Sequence, residues 1–265
     1  MTTNDGVTLH WTEAGEGPTV LLIAGYTAPA TSWVLQVDAL VEAGFRAVSL
    51  DRRSHGESEA PIHGQRIARH AKDVRDVVEA LDLHDVVLVG GSMGASTIWS
   101  YIDLFGTDRV RGIVSVDQTP RMINAGGWEH GFYGFTDENA GTMFREGVPQ
   151  TGRGLTPEQS MPALMRLVER LGDGSSLRGE VHPETLALLR DHAQQDWRDV
   201  IARVDVPVLM VAGRDSQVWP AEHAAASVAD NPLGRFLVLD DCGHAANIDQ
   251  PEAFNAALVD FLGSL

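Results

Sequence analysis

The stretch Val86-Val87-Leu88-Val89-Gly90-Gly91-Ser92-Met93-Gly94 runs four apolar, mostly β-branched residues into a G-x-S-x-G sequence. A run this short and this apolar predicts a strand buried on both faces. The glycines predict a very tight turn from that strand into a helix. A residue at the apex of such a turn sits in a strained backbone conformation, and its neighbours two residues either side must lack side chains or collide. The turn lifts the Ser92 hydroxyl above the sheet and aims the Met93 amide and the helix N-terminus at one point, where a developing oxyanion is stabilised. Outside a strand-turn-helix context the same five residues read as an ordinary glycine-rich turn.

Similar apolar runs recur on either side. Thr19-Val20-Leu21-Leu22-Ile23-Ala24 ends at Gly25, and Arg46-Ala47-Val48-Ser49-Leu50 ends at Asp51. Gly112-Ile113-Val114-Ser115-Val116 ends at Asp117, Val206 to Ala212 ends at Gly213, and Phe236-Leu237-Val238-Leu239 ends at Asp240. Helical stripes fall between them, over Ser32 to Ala43, Ala68 to Leu81 and Ala253 to Leu262. Pro220 and Pro251 stand where first helical turns would start. This alternation predicts an α/β fold with a doubly wound, mostly parallel sheet. Gly6 to Thr12 alternates and fits an antiparallel edge strand. From Thr119 to Val200 the rhythm breaks: glycines punctuate the first half, and Met161 to Leu171 and Pro183 to Trp197 look helical. The expected organisation is a core of residues 1–118 and 201–265 with a helical cap over 119–200.

The 265 residues carry a formal net charge of -17. Such a surface repels nucleic acid and anionic membranes, so neither is expected as a partner. No apolar run approaches the roughly 20 residues that span a bilayer. A single cysteine, Cys242, allows no internal disulfide, and Met1 to Glu16 has neither a basic start nor an apolar stretch; a cytoplasmic location is the expectation. The sequence leaves open whether the chain forms a homo-oligomer.

A serine needs a base to act as a nucleophile. Of ten histidines, His244 follows a late strand and precedes the last helix, so it falls on the sheet edge that carries Ser92. His55, in Asp51-Arg52-Arg53-Ser54-His55-Gly56-Glu57-Ser58, lies on another loop at that edge and reads better as structural. The base needs a carboxylate to fix its tautomer. Asp215 follows the strand ending at Ala212 and gives the order Ser, Asp, His; Asp117, also at a strand end, is the alternative. The loop after the first parallel strand, Ala24-Gly25-Tyr26-Thr27, is expected to supply a second oxyanion donor, the Tyr26 amide, beside that of Met93. The histidines are scattered, one cysteine cannot build a thiolate cage, and no phosphate-binding glycine loop occurs, so no metal and no cofactor are expected.

Taken with Leu21 to Tyr26, Asp51 to Ser58, Gly213-Arg214-Asp215 and Gly243-His244-Ala245-Ala246-Asn247-Ile248-Asp249-Gln250-Pro251-Glu252-Ala253-Phe254, the chain resembles the α/β-hydrolase superfamily over nearly its whole length. Within it the chain is similar to the cofactor-free haloperoxidase (perhydrolase), esterase and enol-lactone hydrolase branches. The resemblance implies an eight-stranded, mostly parallel sheet with a helical cap, and a serine hydrolase cleaving a small to medium apolar ester or lactone. Alternatives are enol-lactone or carbon–carbon bond hydrolysis, peracid formation, or ligand binding with little turnover. The chain departs from the family pattern at Ala24, where histidine is usual, at Ser54, where glycine is usual, and at Thr27, where perhydrolase-like members tend to carry proline. Tyr26, Met122, Trp128, Phe132, Tyr133 and Trp219 are expected to line the substrate pocket, against a reading of each as ordinary core.

Overall fold

The computed structural model describes residues 1–172 and 182–265. Seven strands form one sheet: β1 (Trp11–Ala14), β2 (Thr19–Ile23), β3 (Arg46–Leu50), β4 (Val86–Gly91), β5 (Val110–Val116), β6 (Val208–Gly213) and β7 (Gly234–Leu239). Their order is β1-β3-β2-β4-β5-β6-β7; β1 runs antiparallel to β3 and every other pairing is parallel. Among the described residues there are seven strands, not eight. The expected edge strand over Gly6 to Thr12 begins only at Trp11, and the segment before it contributes a single antiparallel bridge, Thr2 to Thr8. Thr3 closes that segment as a turn: its hydroxyl oxygen accepts the Val7 amide at 3.0 Å, and Gly6 takes φ 86°.

Strand periodicity splits the apolar residues between two faces. Leu21, Ile23, Val48, Leu50, Leu88, Ile113 and Met210 point one way, into a core completed by α2 (Ile67–Ala80) and α3 (Met93–Phe105). Val20, Leu22, Ala47, Val87, Val89, Val114 and Val211 point the other way, onto α1 (Val34–Glu42) and α9 (Pro251–Gly263). Burial on both faces is why the parallel strands read as continuous apolar runs. Each such side chain fully removed from water contributes about 1.5–3 kcal/mol.

Between β5 and β6 the described residues hold a loop with a 3-10 turn at Asp137–Asn139, then α4 (Pro157–Leu171), α5 (Thr185–Ala193) and α6 (Arg198–Arg203). Of the expected cap over 119–200, residues 173–181 lie outside the described residues. Helix α4 starts four residues before the apolar stripe that predicts it, because Thr156 and Gln159 form a reciprocal capping box ahead of Pro157. It packs against α1 and against α8 (Ala246–Asp249), and Arg170 pairs with Asp38 on α1 at 2.6 Å. Helix α5 is tied to the core by the Asp191 carboxylate, which accepts the first amide of α2, that of Ile67, at 2.8 Å. No helix among the described residues is long and apolar enough to cross a membrane.

The turn between β4 and α3 is as tight as its sequence requires. A Cβ on Gly90 would lie 2.5 Å from the Ala95 nitrogen, and one on Gly94 would lie 2.1 Å from the Ile23 carbonyl oxygen of β2. Alanine at 94 gains about 1 kcal/mol of helix propensity, but a backbone carbonyl cannot give way as a side chain can. Gly94→Ala is therefore expected to lower the stability by about 2 kcal/mol or more, read from urea unfolding; an unchanged or raised midpoint would contradict this packing.

Candidate active site

Ser92 sits at the turn with φ 50° and ψ -126°, a positive-φ conformation that residues with a side chain rarely adopt, and its amide is anchored to the Val116 carbonyl at 2.8 Å. The strained conformation is held because β4, β5 and α3 all converge on it. His244 lies between β7 and α8, and its Nε2 stands 2.9 Å from the Ser92 Oγ. Its Nδ1 is 2.7 Å from Oδ2 of Asp117, the residue next in chain after β5. An ionised carboxylate only accepts, so Nδ1 carries the proton and Nε2 is free to accept from the Ser92 hydroxyl.

The histidine loop is fixed from several sides. The Asp249 carboxylate accepts the Gly243 amide at 2.8 Å, and the Gln217 side-chain oxygen accepts the His244 amide at 3.2 Å. The Trp219 ring meets the imidazole edge-on, with centroids 5.2 Å apart. A Cβ on Gly213 would lie 2.0 Å from the Gly243 carbonyl oxygen, so the end of β6 packs directly under this loop. Cys242, two residues before His244, is fully buried, and burial pushes its thiol up; it is a small filler without thiolate character.

Asp117, and not Asp215, is the carboxylate on His244. Asp215 lies two residues past the end of β6, on the turn closed by the Ser216 amide on Gly213, and its side chain is exposed. Asp117 leaves β5 with φ 43°, a rare conformation for a residue with a side chain. Its carboxylate is fully buried and collects four donors: Ser216 Oγ (2.6 Å), His244 Nδ1 (2.7 Å), the Gly213 amide (3.1 Å) and His223 Nε2 (3.4 Å). Burial alone would raise its pKa. The hydrogen bonds and charge of His223 and His244 more than reverse this and hold it at about 2. Ser216 and His223 carried no signal in the sequence, since each sits in a segment with no motif.

His55 is turned into the protein: its Nδ1 donates to the Arg53 carbonyl at 2.8 Å and its Nε2 meets Arg52 at 3.0 Å. Ser54 takes φ 62° at the position where the family pattern has glycine, so the loop keeps its shape at some conformational strain. Among the described residues, no three His, Cys, Asp or Glu side chains cluster to hold a metal ion.

Ser92 and His244 open onto a cavity of about 670 Å³ between the sheet edge and residues of the loop after β5, α4 and α5. Tyr26, Met93, Met122, Phe132 and Trp219 line it, together with Phe144, Leu155, Leu164, Leu167 and Ile248. Trp128 and Tyr133 do not. The Trp128 indole donates to the Arg121 carbonyl at 3.0 Å, and the Tyr133 ring lies under the Arg153 guanidinium at 4.3 Å. Both are spent on holding the loop after β5, a use that an aromatic residue in sequence does not distinguish from lining a pocket. Among the polar lining residues that the sequence reading did not single out are His192 and Asp249. His192 on α5 is buried, and burial holds it at about 3, so it is neutral. Burial also raises the pKa of Asp249. Neither the Tyr26 nor the Met93 amide donates to an acceptor among the described residues; the Met93 amide is the first of the unpaired amides of α3.

A parallel sheet wound on both faces, a strained serine between β4 and α3, and a histidine hydrogen-bonded to it define an α/β hydrolase. Residues 18–251 match the α/β hydrolase fold family, and the chain belongs to it as an enzyme of that class. It is similar to the non-heme chloroperoxidase CPO-A1 of Kitasatospora aureofaciens, at 26% identity over 98% of each chain. Among solved structures it resembles a bromoperoxidase from Bacillus anthracis (TM-score 0.81, 26% identity, 97% of this chain and 96% of that one). An esterase from Exiguobacterium antarcticum shares the fold (TM-score 0.80, 24% identity, 99% of this chain and 100% of that one).

The lowered pKa of Asp117 couples the site to stability. A carboxyl held at about 2 in the folded protein, against about 3.9 unfolded, contributes stability that is complete above about pH 4 and is lost as pH falls through about 2. Between those limits, urea midpoints of the wild type are expected to fall more steeply than those of Asp117→Asn. Parallel curves would contradict the burial and bonding described for this group.

Proposed function

We propose that the chain is a serine hydrolase acting on carboxylic esters or lactones with a small to medium apolar acyl group. The observation that carries this reading is the hydrogen-bonded chain Ser92–His244–Asp117 at the mouth of an apolar-walled cavity. Ser92 Oγ attacks the substrate carbonyl carbon while its proton passes to His244 Nε2. Asp117 stabilises the resulting imidazolium, and the free amides of Tyr26 and Met93 receive the oxyanion. His244 then gives its proton to the leaving alkoxide oxygen as the carbon–oxygen bond breaks. Water, deprotonated by the same imidazole, releases the acid and restores Ser92. Met122, Phe132, Leu164 and Leu167 supply the apolar contact that favours an alkyl acyl chain.

Peracid formation from the same acyl-enzyme is the second reading, favoured by the chloroperoxidase and bromoperoxidase relatives. The oxyanion loop weighs against it. Thr27 has φ 62° and donates its hydroxyl to the Tyr26 carbonyl at 2.7 Å, and a proline ring, locked near -65°, cannot take that conformation. The loop is therefore shaped differently from one that carries proline there.

Hydrolysis of p-nitrophenyl esters from acetate to decanoate tests the proposal. Turnover well above background is expected, with a loss of about 10³-fold or more in Ser92→Ala. Wild-type protein that turns over no ester and no simple lactone, yet is labelled at Ser92 by a fluorophosphonate, would refute the ester reading and direct attention to carbon–carbon bond substrates.

A further inference from the structure

Two adjacent arginines at the end of β3 are buried in different ways. Arg53 is neutralised: its guanidinium donates to Asp73 at 2.6 and 2.8 Å and to Asp5 at 3.0 and 3.1 Å. Arg52 is 2% exposed and, among the described residues, has no carboxylate partner. Its Nε donates to the Ala24 carbonyl at 3.0 Å and its Nη2 to the Gly25 carbonyl at 2.7 Å. Its remaining contacts are His55 Nε2 at 3.0 Å and His70 Nδ1 at 3.2 Å. A guanidinium has only donors, so both of these ring nitrogens accept and both imidazoles are neutral. Burial and the charge of Arg52 hold the two histidines well below their ordinary value. Burial lowers Arg52 itself to about 9, which leaves it cationic at neutral pH. Asp73 favours the Arg52 charge only from a distance; a buried charge with no directly bonded counter-ion is costly, and a purely structural role would be met by a pairing like that of Arg53.

The peptide bond explains what Arg52 holds. In a trans peptide the C=O and the following N–H point in opposite directions, and no peptide bond among the described residues is cis. Arg52 grips the Gly25 oxygen from inside the protein, so the Tyr26 N–H points away from it. Gly25 lies against the nucleophile, since a Cβ there would be 3.1 Å from the Ser92 Cβ. We propose that Arg52 is a positioning residue of the oxyanion hole: it fixes the Gly25–Tyr26 peptide with its N–H toward the reacting carbonyl, and its charge on the carbonyl end of that same peptide strengthens the N–H as a donor. Hydrogen bonds polarise one another along such a chain in a low-dielectric interior. The inference rests on the acyl-transfer reading above.

The test compares wild type, Arg52→Met and Arg52→Lys, each first shown to be folded by circular dichroism and thermal unfolding. Two quantities are read: the rate at which a fluorophosphonate labels Ser92, and kcat and KM on the best p-nitrophenyl ester. Methionine removes both the grip and the charge. Labelling and kcat are expected to fall about 30-fold or more, with KM within about threefold. Lysine keeps the charge but has one nitrogen and cannot span both carbonyls, so an intermediate rate is expected. A folded Arg52→Met that labels within about threefold of wild type, or one whose loss lies in KM alone, would overturn the proposal. If the methionine variant does not fold, Arg52→Lys carries the test: slower labelling at unchanged KM supports it, and wild-type labelling overturns it. Wild-type protein that labels but hydrolyses no ester would defeat the ester reading and leave the labelling comparison intact.

Discussion

Close approach of backbone to backbone at the end of β4 is the constraint that sets the geometry of the site. Helix α3 enters so near β2 that position 94 has no room for a Cβ, and position 90 has none because α3 turns back over it. Ser92, caught between them, is forced to a positive φ, and its hydroxyl is carried above the carboxyl ends of the strands. Loops from β2, β5, β6 and β7 reach the same edge because the sheet is parallel there. The geometry of the candidate site is thus a property of the sheet and of the strained turn at Ser92.

Charge is arranged at that edge in two layers. Behind His244 a single buried anion, Asp117, is kept ionised by four donors drawn from β6, the turn after it, α7 (His223–Ser227) and the histidine loop. Behind the oxyanion loop lies a single buried cation, Arg52, bedded on carbonyls and neutral imidazoles. In the proposed acyl transfer the anion faces the group that becomes positive, and the cation lies behind the loop proposed to receive the negative charge. Both charges are fixed before substrate arrives, which is the arrangement that lowers a barrier most.

The sheet was legible because its strands are buried on both faces and so stand out as short apolar runs; β3 matches its sequence reading at both ends. Ser92 and His244 were legible because tight turns and strand-end loops have local signatures. The carboxylate was not. Asp117 and Asp215 both stand just past strand ends, and both give the chain order Ser, Asp, His, so order does not tell them apart. The two strand ends differ in how the backbone leaves them. Gly213 begins a turn that carries Asp215 outward to solvent, whereas Asp117 sits on the last step of β5 with its amide bonded to the Val211 carbonyl of β6 at 2.6 Å. Such a cross-strand bond has no mark in the sequence. The pocket was half legible for a similar reason, since Trp128 and Trp219 look alike in sequence and only tertiary packing puts one in the wall and the other against Arg121 and Arg198.

The mechanism depends most directly on which carboxylate serves His244. Parallel kinetics of Asp117→Asn and Asp215→Asn, on the ester series and by fluorophosphonate labelling of Ser92, address it. Asp117→Asn is expected to lose about 10³–10⁴-fold in kcat, because an amide at that position no longer enforces the Nδ1–H tautomer. Asp215→Asn, exposed and off the imidazole, should stay within about threefold of wild type. A crippled Asp215→Asn beside an active Asp117→Asn would contradict the assignment and the mechanism built on it.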